Sequence, residues 1–271
     1  VSAPDRTPTA AALVRAYEGR ARKRFGQHFL VSDGIIARIV AAAELGPSVH
    51  VVEIGPGPGV LTAALLATGA RVSAVELDRD CAAHIRASFP DVELVEGDAA
   101  TVPLPVGDEP WVCVSNLPYN VGTRILMRLL DLERPPQRLV LMLQREVAER
   151  LVAPVGSRQR GSLSVAVQAR AAGRRLFRVP PGAFSPPPKV ESAVVLLTPR
   201  GVPLPPGFDA LLRAGFAMPR KTLRNNLRAS FGDAATALSG ELSGRRPAAL
   251  SVEQWQTLAE GLAAAGLLPA G

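Results

Sequence analysis

Along the first 150 residues of this 271-residue chain, short runs of β-branched and other apolar residues alternate with segments whose apolar positions recur at helical spacing. Strands are predicted over 51–54, 71–77, 92–95, 110–115 and 138–143, and helices over 60–66, 80–89, 125–132 and 146–152. Two more helices precede the first strand. One runs through Leu13, Val14 and Tyr17, the other through Ile35, Ile36, Ile39 and Val40, with Ser32 or Asp33 as its cap. Strand and helix alternating at this interval predict a parallel, doubly wound sheet, in which right-handed crossovers bring the strand ends to one edge. The rest of the chain reads differently. A helix over 162–171 and strands over 176–179 and 192–197, around a Pro-rich turn, lead into the linker Pro199-Arg200-Gly201-Val202-Pro203-Leu204-Pro205-Pro206. Beyond it, apolar stripes recur only at helical spacing. The expected organisation is an α/β domain over 1–200 and a small all-α domain over 201–271.

The sharpest break in the pattern is Val51-Val52-Glu53-Ile54-Gly55-Pro56-Gly57-Pro58-Gly59, a strand that stops at three glycines and is followed by a helix. A Cβ in such a turn blocks either positive φ or a ligand lying against the backbone, and the following helix offers free N–H groups. Glu76, 21 residues after Gly55, suits a ligand with a ribose, because a carboxylate accepts from both hydroxyls. Dinucleotides and S-adenosylmethionine satisfy this equally. Asp98 follows the next strand and can accept from an adenine amino group, and Asn116 follows the one after. Gly55, Glu76, Asp98 and Asn116 therefore converge on one sheet edge.

Composition narrows the partner. Apolar residues make up 47% of the chain, enough for a large core, while 31 basic residues against 24 acidic ones give a net charge of +7. That excess favours a polyanionic partner. It is clustered: Arg20, Arg22, Lys23 and Arg24; then Arg150, Arg158, Arg160, Arg170, Arg174, Arg175, Arg178 and Lys189, in a stretch without acids; then Arg220, Lys221, Arg224 and Arg228. Arg220, Arg224 and Arg228, at i, i+4 and i+8, are expected to share one helical face. Cys81 and Cys113 form neither a metal-spaced pair nor a disulfide framework, and no apolar run reaches the length of a membrane span or of a signal-peptide core. The expectation is a cytoplasmic, monomeric protein without metal or membrane anchor.

Asn116-Leu117-Pro118-Tyr119 decides between the cofactors. It resembles the (Asn/Asp/Ser)-Pro-Pro-(Tyr/Phe) signature of amino methyltransferases. An adenine amino group is a poor nucleophile because its lone pair is delocalised into the ring. The Asn116 side-chain oxygen and a backbone carbonyl near Leu117 can accept its two hydrogens and localise that pair. Pro118 stiffens the turn and Tyr119 offers a face for an extruded base.

The chain as a whole resembles the ribosomal RNA adenine N6,N6-dimethyltransferases that modify two adjacent adenines near the 3′ end of small-subunit rRNA. The resemblance covers about residues 20 to 230. It is carried by Arg22-Lys23-Arg24-Phe25-Gly26-Gln27-His28-Phe29-Leu30, Glu53-Ile54-Gly55-Pro56-Gly57, Val75-Glu76-Leu77-Asp78-Arg79-Asp80 and Asn116-Leu117-Pro118-Tyr119-Asn120. Gln144-Arg145-Glu146-Val147-Ala148-Glu149-Arg150-Leu151, Phe184-Ser185-Pro186-Pro187-Pro188-Lys189-Val190-Glu191-Ser192-Ala193-Val194-Val195 and Arg220-Lys221-Thr222-Leu223-Arg224-Asn225-Asn226-Leu227 complete it. It implies a Rossmann-like class I S-adenosylmethionine-dependent methyltransferase domain with a small C-terminal all-α domain.

The resemblance also implies roles for single residues. His28, where Asn is usual, and Leu30 contact the methionine end of the cofactor. Gly55 and Gly57 line it, Glu76 takes the ribose and Asp98 the adenine. Asn116 stands between cofactor and target amine. Phe184 is expected to stack on the base opposite Tyr119, and Arg220, Lys221, Arg224 and Arg228 to hold rRNA of the assembling small subunit. The rival readings are a large-subunit rRNA methyltransferase of the macrolide-resistance type, a non-catalytic RNA-binding relative, and an NAD-linked dehydrogenase. The last leaves Asn116 to Tyr119 and the basic segments unexplained.

Overall fold

The computed structural model describes residues 8–17 and 28–268. The basic group Arg20, Arg22, Lys23 and Arg24, together with Phe25-Gly26-Gln27, lies outside the described residues. Packing separates the chain into two units, one of 1–148 and 174–198, the other of 149–173 and 199–271. The expected boundary at 200 is therefore joined by an earlier excursion: residues 149–173 pack with the C-terminal part, because Arg170 and Gly156 are bonded there to Asp209 and Ala248.

In the first unit, the helices α1 (Ala10–Ala16) and α2 (Asp33–Ala43) flank a two-residue strand, β1 (Phe29–Leu30). Ser32 holds the cap position of α2 without a side-chain bond, while Asp33 instead accepts from the Ala10 N–H at 2.8 Å and fixes the start of α1. There follow β2 (His50–Ile54), α3 (Val60–Leu66), β3 (Arg71–Glu76), α4 (Arg79–Ser88), β4 (Glu93–Glu96), β5 (Trp111–Asn116), α5 (Gly122–Leu130), β6 (Arg138–Gln144) and α6 (Arg145–Leu151). After α7 (Ser162–Arg170) come β7 (Ala171–Val179), β8 (Phe184–Ser185) and β9 (Ser192–Pro199).

The seven-stranded sheet has the order β4-β3-β2-β5-β6-β9-β7. Strands β4 to β6 are parallel, as the alternation predicts, and β9 runs antiparallel to β6. All five residues of β2 are buried, as are the first five of β5, which is why these runs are largely apolar rather than alternating, with His50, Glu53 and Ser115 as buried polar exceptions. Helix α2 packs Ile36 and Ile39 into the same core as Val51, Val72, Val112 and Val140. One pairing has no counterpart in the sequence pattern: β1 and β8 form an antiparallel pair, Phe29 opposite Ser185 and Leu30 opposite Phe184.

The second unit holds α7, α8 (Phe208–Gly215), α9 (Leu223–Leu238) and α10 (Val252–Ala264). Its largest buried side chain, Trp255, stacks on Phe216 at 5.5 Å, and a Cβ on Gly215 would collide with the Trp255 ring. Ser251 and Gln254 form a capping box at the start of α10. Among the described residues no helix is long and apolar enough to cross a membrane.

Candidate active site

From β2 the chain moves outward to β3 and β4, then returns to β5 on the other side of β2. This reversal is the switch point at which open α/β sheets leave a crevice past their strand ends. Gly55 follows β2 and Asn116 closes β5, so both border that crevice. A single cavity there is lined by His28, Gly55, Glu76, Asp98, Asn116 and Tyr119, and also by Leu30 and Gly57. The four residues expected to converge do so.

Gly55, Gly57 and Gly59 have φ of +70°, +56° and +81°, a conformation that side chains resist. At Gly57 a Cβ would also press on the Phe29 ring at 3.1 Å. The turn so formed aims the Gly57 N–H at Glu76 Oε2 (3.0 Å), while the Asp78 N–H donates to Oε1 (2.8 Å). Glu76 is 7% exposed, and burial pushes its pKa up against the pull of these two donors. Each carboxylate oxygen keeps a lone pair for a further donor.

Beside it lies a carboxyl that no sequence argument singled out. Glu53 is 2% exposed and accepts from the Thr62 hydroxyl at 2.6 Å, and burial raises its pKa to about 8. At neutral pH it is mainly protonated. Its signal in the sequence is an acid inside an otherwise apolar strand.

Asp98 serves as both loop cap and wall. Its Oδ1 accepts from the Ala100 N–H (2.8 Å), and its Oδ2 pairs with Arg124 at 2.7 Å. Arg128 donates to the carbonyls of Ala99 and Val102. Arg124 and Arg128, both on α5 and neither anticipated, thus tie the helix after Asn116 to the loop after β4.

At the end of β5 the Ser115 hydroxyl donates to the Ile54 carbonyl, locking β5 to β2 beside the glycine turn. Asn116 Nδ2 donates to the His28 carbonyl at 3.2 Å. A carbonyl can only accept, so this bond fixes the amide and leaves Oδ1 as its acceptor end. The Tyr119 hydroxyl and Ser192 Oγ share a hydrogen bond of 2.5 Å, and the Tyr119 and His28 rings stack at 5.6 Å and 29°. Burial raises the Tyr119 pKa against the opposing Ser192 bond. His28 Nδ1 donates to the Pro186 carbonyl at 2.8 Å.

Phe184 differs from expectation. It is 3% exposed, opposite Leu30 in the short strand pair and in the same core as Ile36, so in this structure its ring belongs to the core rather than to a second stacking face.

The basic candidates also divide. Arg220, Lys221, Arg224 and Arg228 are all exposed. However, α9 begins only at Leu223, after the Thr222 cap, so Arg220 and Lys221 sit in the preceding turn and only Arg224 and Arg228 share a helical face. Buried Asn226 shapes that turn by accepting from the Met218 N–H (2.7 Å) and donating to the carbonyls of Met218 and Thr222. In the acid-free stretch, Arg160 is 4% exposed and donates to Ala153 O and Gln168, while Arg170 is paired with Asp209 at 2.7 Å. These two arginines are structural.

The family model described as "Ribosomal RNA adenine dimethylase" matches residues 18–264. The chain belongs to the ribosomal RNA adenine dimethylase family. Within it, the chain is 45% identical to the "Ribosomal RNA small subunit methyltransferase A" of Synechococcus elongatus, over 87% of this chain and 92% of that one. It is 41% identical to the protein of the same name from Pseudomonas putida, over 91% and 97%. Among solved structures, a dimethyladenosine transferase from Plasmodium falciparum superposes with a TM-score of 0.77 at 25% identity, over 88% of this chain and 98% of that one. The 23S rRNA methyltransferase ErmE gives 0.64 at 27%, over 86% and 99%.

As a member of this family the protein is an S-adenosylmethionine-dependent rRNA methyltransferase with a Rossmann-like fold. The cavity fits that cofactor. A buried carboxylate held by two backbone N–H groups suits ribose hydroxyls, and a turn free of side chains suits a close backbone approach.

Proposed function

We propose that this dimethylase methylates N6 of two adjacent adenines near the 3′ end of small-subunit rRNA, acting on the assembling small subunit. The observation that carries the reading is the fixed amide of Asn116. With Nδ2 committed to the His28 carbonyl, Oδ1 is an acceptor at the end of β5, in the cavity that Glu76 and Asp98 also line. The names and 41–45% identities of the Synechococcus and Pseudomonas relatives support the choice of subunit. A single large-subunit adenine as target is the second reading, supported by the likeness to ErmE, but at 27% identity.

Bound S-adenosylmethionine supplies an electrophilic methyl group; the residues of this chain prepare the amine for it. Gly57, Glu76 and Asp98, with Leu30, hold the cofactor. Asn116 Oδ1 and a main-chain carbonyl near Leu117 accept the two amine hydrogens and localise the nitrogen lone pair. Pro118 stiffens the turn, and Tyr119 supports the flipped base by stacking. No strong base is needed, because the proton becomes acidic only once the nitrogen has been alkylated, and can pass to water. Positioning of two reactants carries most of the rate. In the helical unit, Arg220, Lys221, Arg224 and Arg228 contact rRNA phosphates. The reading takes the enzyme as a monomer, without metal, in a reducing cytoplasm, where Cys81 and Cys113 are buried thiols outside any disulfide.

The test is labelled methyl transfer to separated small and large subunits from a methylation-deficient strain. Digested rRNA is expected to yield dimethyladenosine. Label appearing in large subunits instead would overturn the reading.

A further inference from the structure

We propose that the His28 imidazole is a placeholder for the target base: it covers the face of Tyr119 on which the adenine stacks, and the entering base displaces it. The inference rests on the reading of Tyr119 as the stacking face and adds the residue that controls access to it. The two rings lie 5.6 Å apart at 29°. That separation is already aromatic contact and leaves no room for a third ring, so that face accepts a base only if one ring leaves.

The anchoring decides which ring. Tyr119 is held at its hydroxyl by Ser192 on β9. Among the described residues, the His28 side chain is held by one exposed bond, Nδ1–H to the Pro186 carbonyl. Phe184, packed into the core, offers no alternative face.

The main chain of His28 is fixed independently of its ring. Its carbonyl accepts from Asn116, and the next residue, Phe29, pairs with Ser185. Rotation about the side-chain torsions therefore uncovers Tyr119 without releasing the Asn116 amide. Base entry trades one aromatic contact for another while the acceptor beside it keeps its orientation. His28 acts here as a positioning residue, through Tyr119 and Asn116, and not as a proton carrier.

The test compares His28→Ala and His28→Phe in the full-length enzyme, with small subunits from a methylation-deficient strain as substrate. Removing the placeholder is expected to lower KM for the subunit by roughly 2- to 10-fold, the range one aromatic contact is worth. A larger ring that stacks more firmly raises it. A residue that merely stabilises the fold would raise KM in both variants, and that result overturns the proposal. So does a pair of variants that changes only the affinity for S-adenosylhomocysteine, measured by calorimetry. Failure of the wild-type enzyme to methylate small subunits at all would instead strike the functional reading on which the proposal rests.

Discussion

Six of the seven excess positive charges fall in the unit of 149–173 and 199–271, where 12 basic residues stand against 6 acidic ones; the sheet-bearing unit carries 19 against 18. In the sheet unit the informative charges are few and enclosed. Glu76 is buried with the Gly57 and Asp78 N–H groups on its carboxylate, an arrangement that suits a ligand donating bonds of fixed direction. In the helical unit Arg220, Lys221, Arg224 and Arg228 are exposed, and on the proposed function they act on RNA through a field that reaches about 8 Å at physiological salt. A small nucleoside needs the first arrangement and a polyanion the second. On the proposed function, one chain separates chemistry from grip, and each should yield to a different perturbation.

The largest expected effect lies in the sheet unit. Asn116→Ala removes the acceptor for the target amine and should lower kcat by about 10²- to 10³-fold. Filter binding of rRNA should change little, since the basic unit is untouched. The next largest belongs to the helical unit. Gly215→Ala forces a methyl group into the Trp255 ring and should destabilise that unit by roughly 1–3 kcal/mol, read as a lower melting temperature.

Smaller still is the combined change Lys221→Ala, Arg224→Ala and Arg228→Ala. Three lost phosphate contacts should flatten the slope of log affinity against log salt by about 2. Arg228 already pairs with Asp233 at 3.0 Å, so its share should be the least.

The smallest effect is one of pH. His50 is 3% exposed at the opposite ends of the strands, donating to Ser73 and accepting from Arg71; burial, then the Arg71 charge, lowers its pKa. The unfolded chain takes up that proton near pH 6.5, the native state only at lower pH. The stability it contributes is therefore complete above about pH 6.5 and is lost as pH falls through the lowered folded value. Urea midpoints at pH 7.5 and 5.5 should differ less in His50→Gln than in the wild type.

The sheet edge was legible because β2, β3 and β5 are largely apolar and β2 to β5 run into Gly55, Glu76, Asp98 and Asn116 in turn. That placed Gly55, Glu76, Asp98 and Asn116 together without any coordinates. The β1–β8 pair was not legible, since two residues have no period and their partners are distant in the chain. With it went the burial of Phe184, read as a stacking partner for the base opposite Tyr119. Arg160 and Arg170 read as part of a basic run because charge does not reveal burial; their partners are remote carbonyls and Asp209. The phase of Arg220 failed for a local reason: helical spacing has meaning only within a helix, and α9 starts three residues later. Glu53 was hidden in its strand, where a single acid hardly alters the apolar pattern.

The division of labour is tested most directly by titrating two ligands, S-adenosylhomocysteine and small-subunit rRNA, against two variants. Glu76→Ala should weaken the first by roughly 10- to 100-fold and leave the second unchanged, because it removes an acceptor for ribose hydroxyls. The triple basic variant should do the reverse. Loss of both affinities together in either variant would contradict the account.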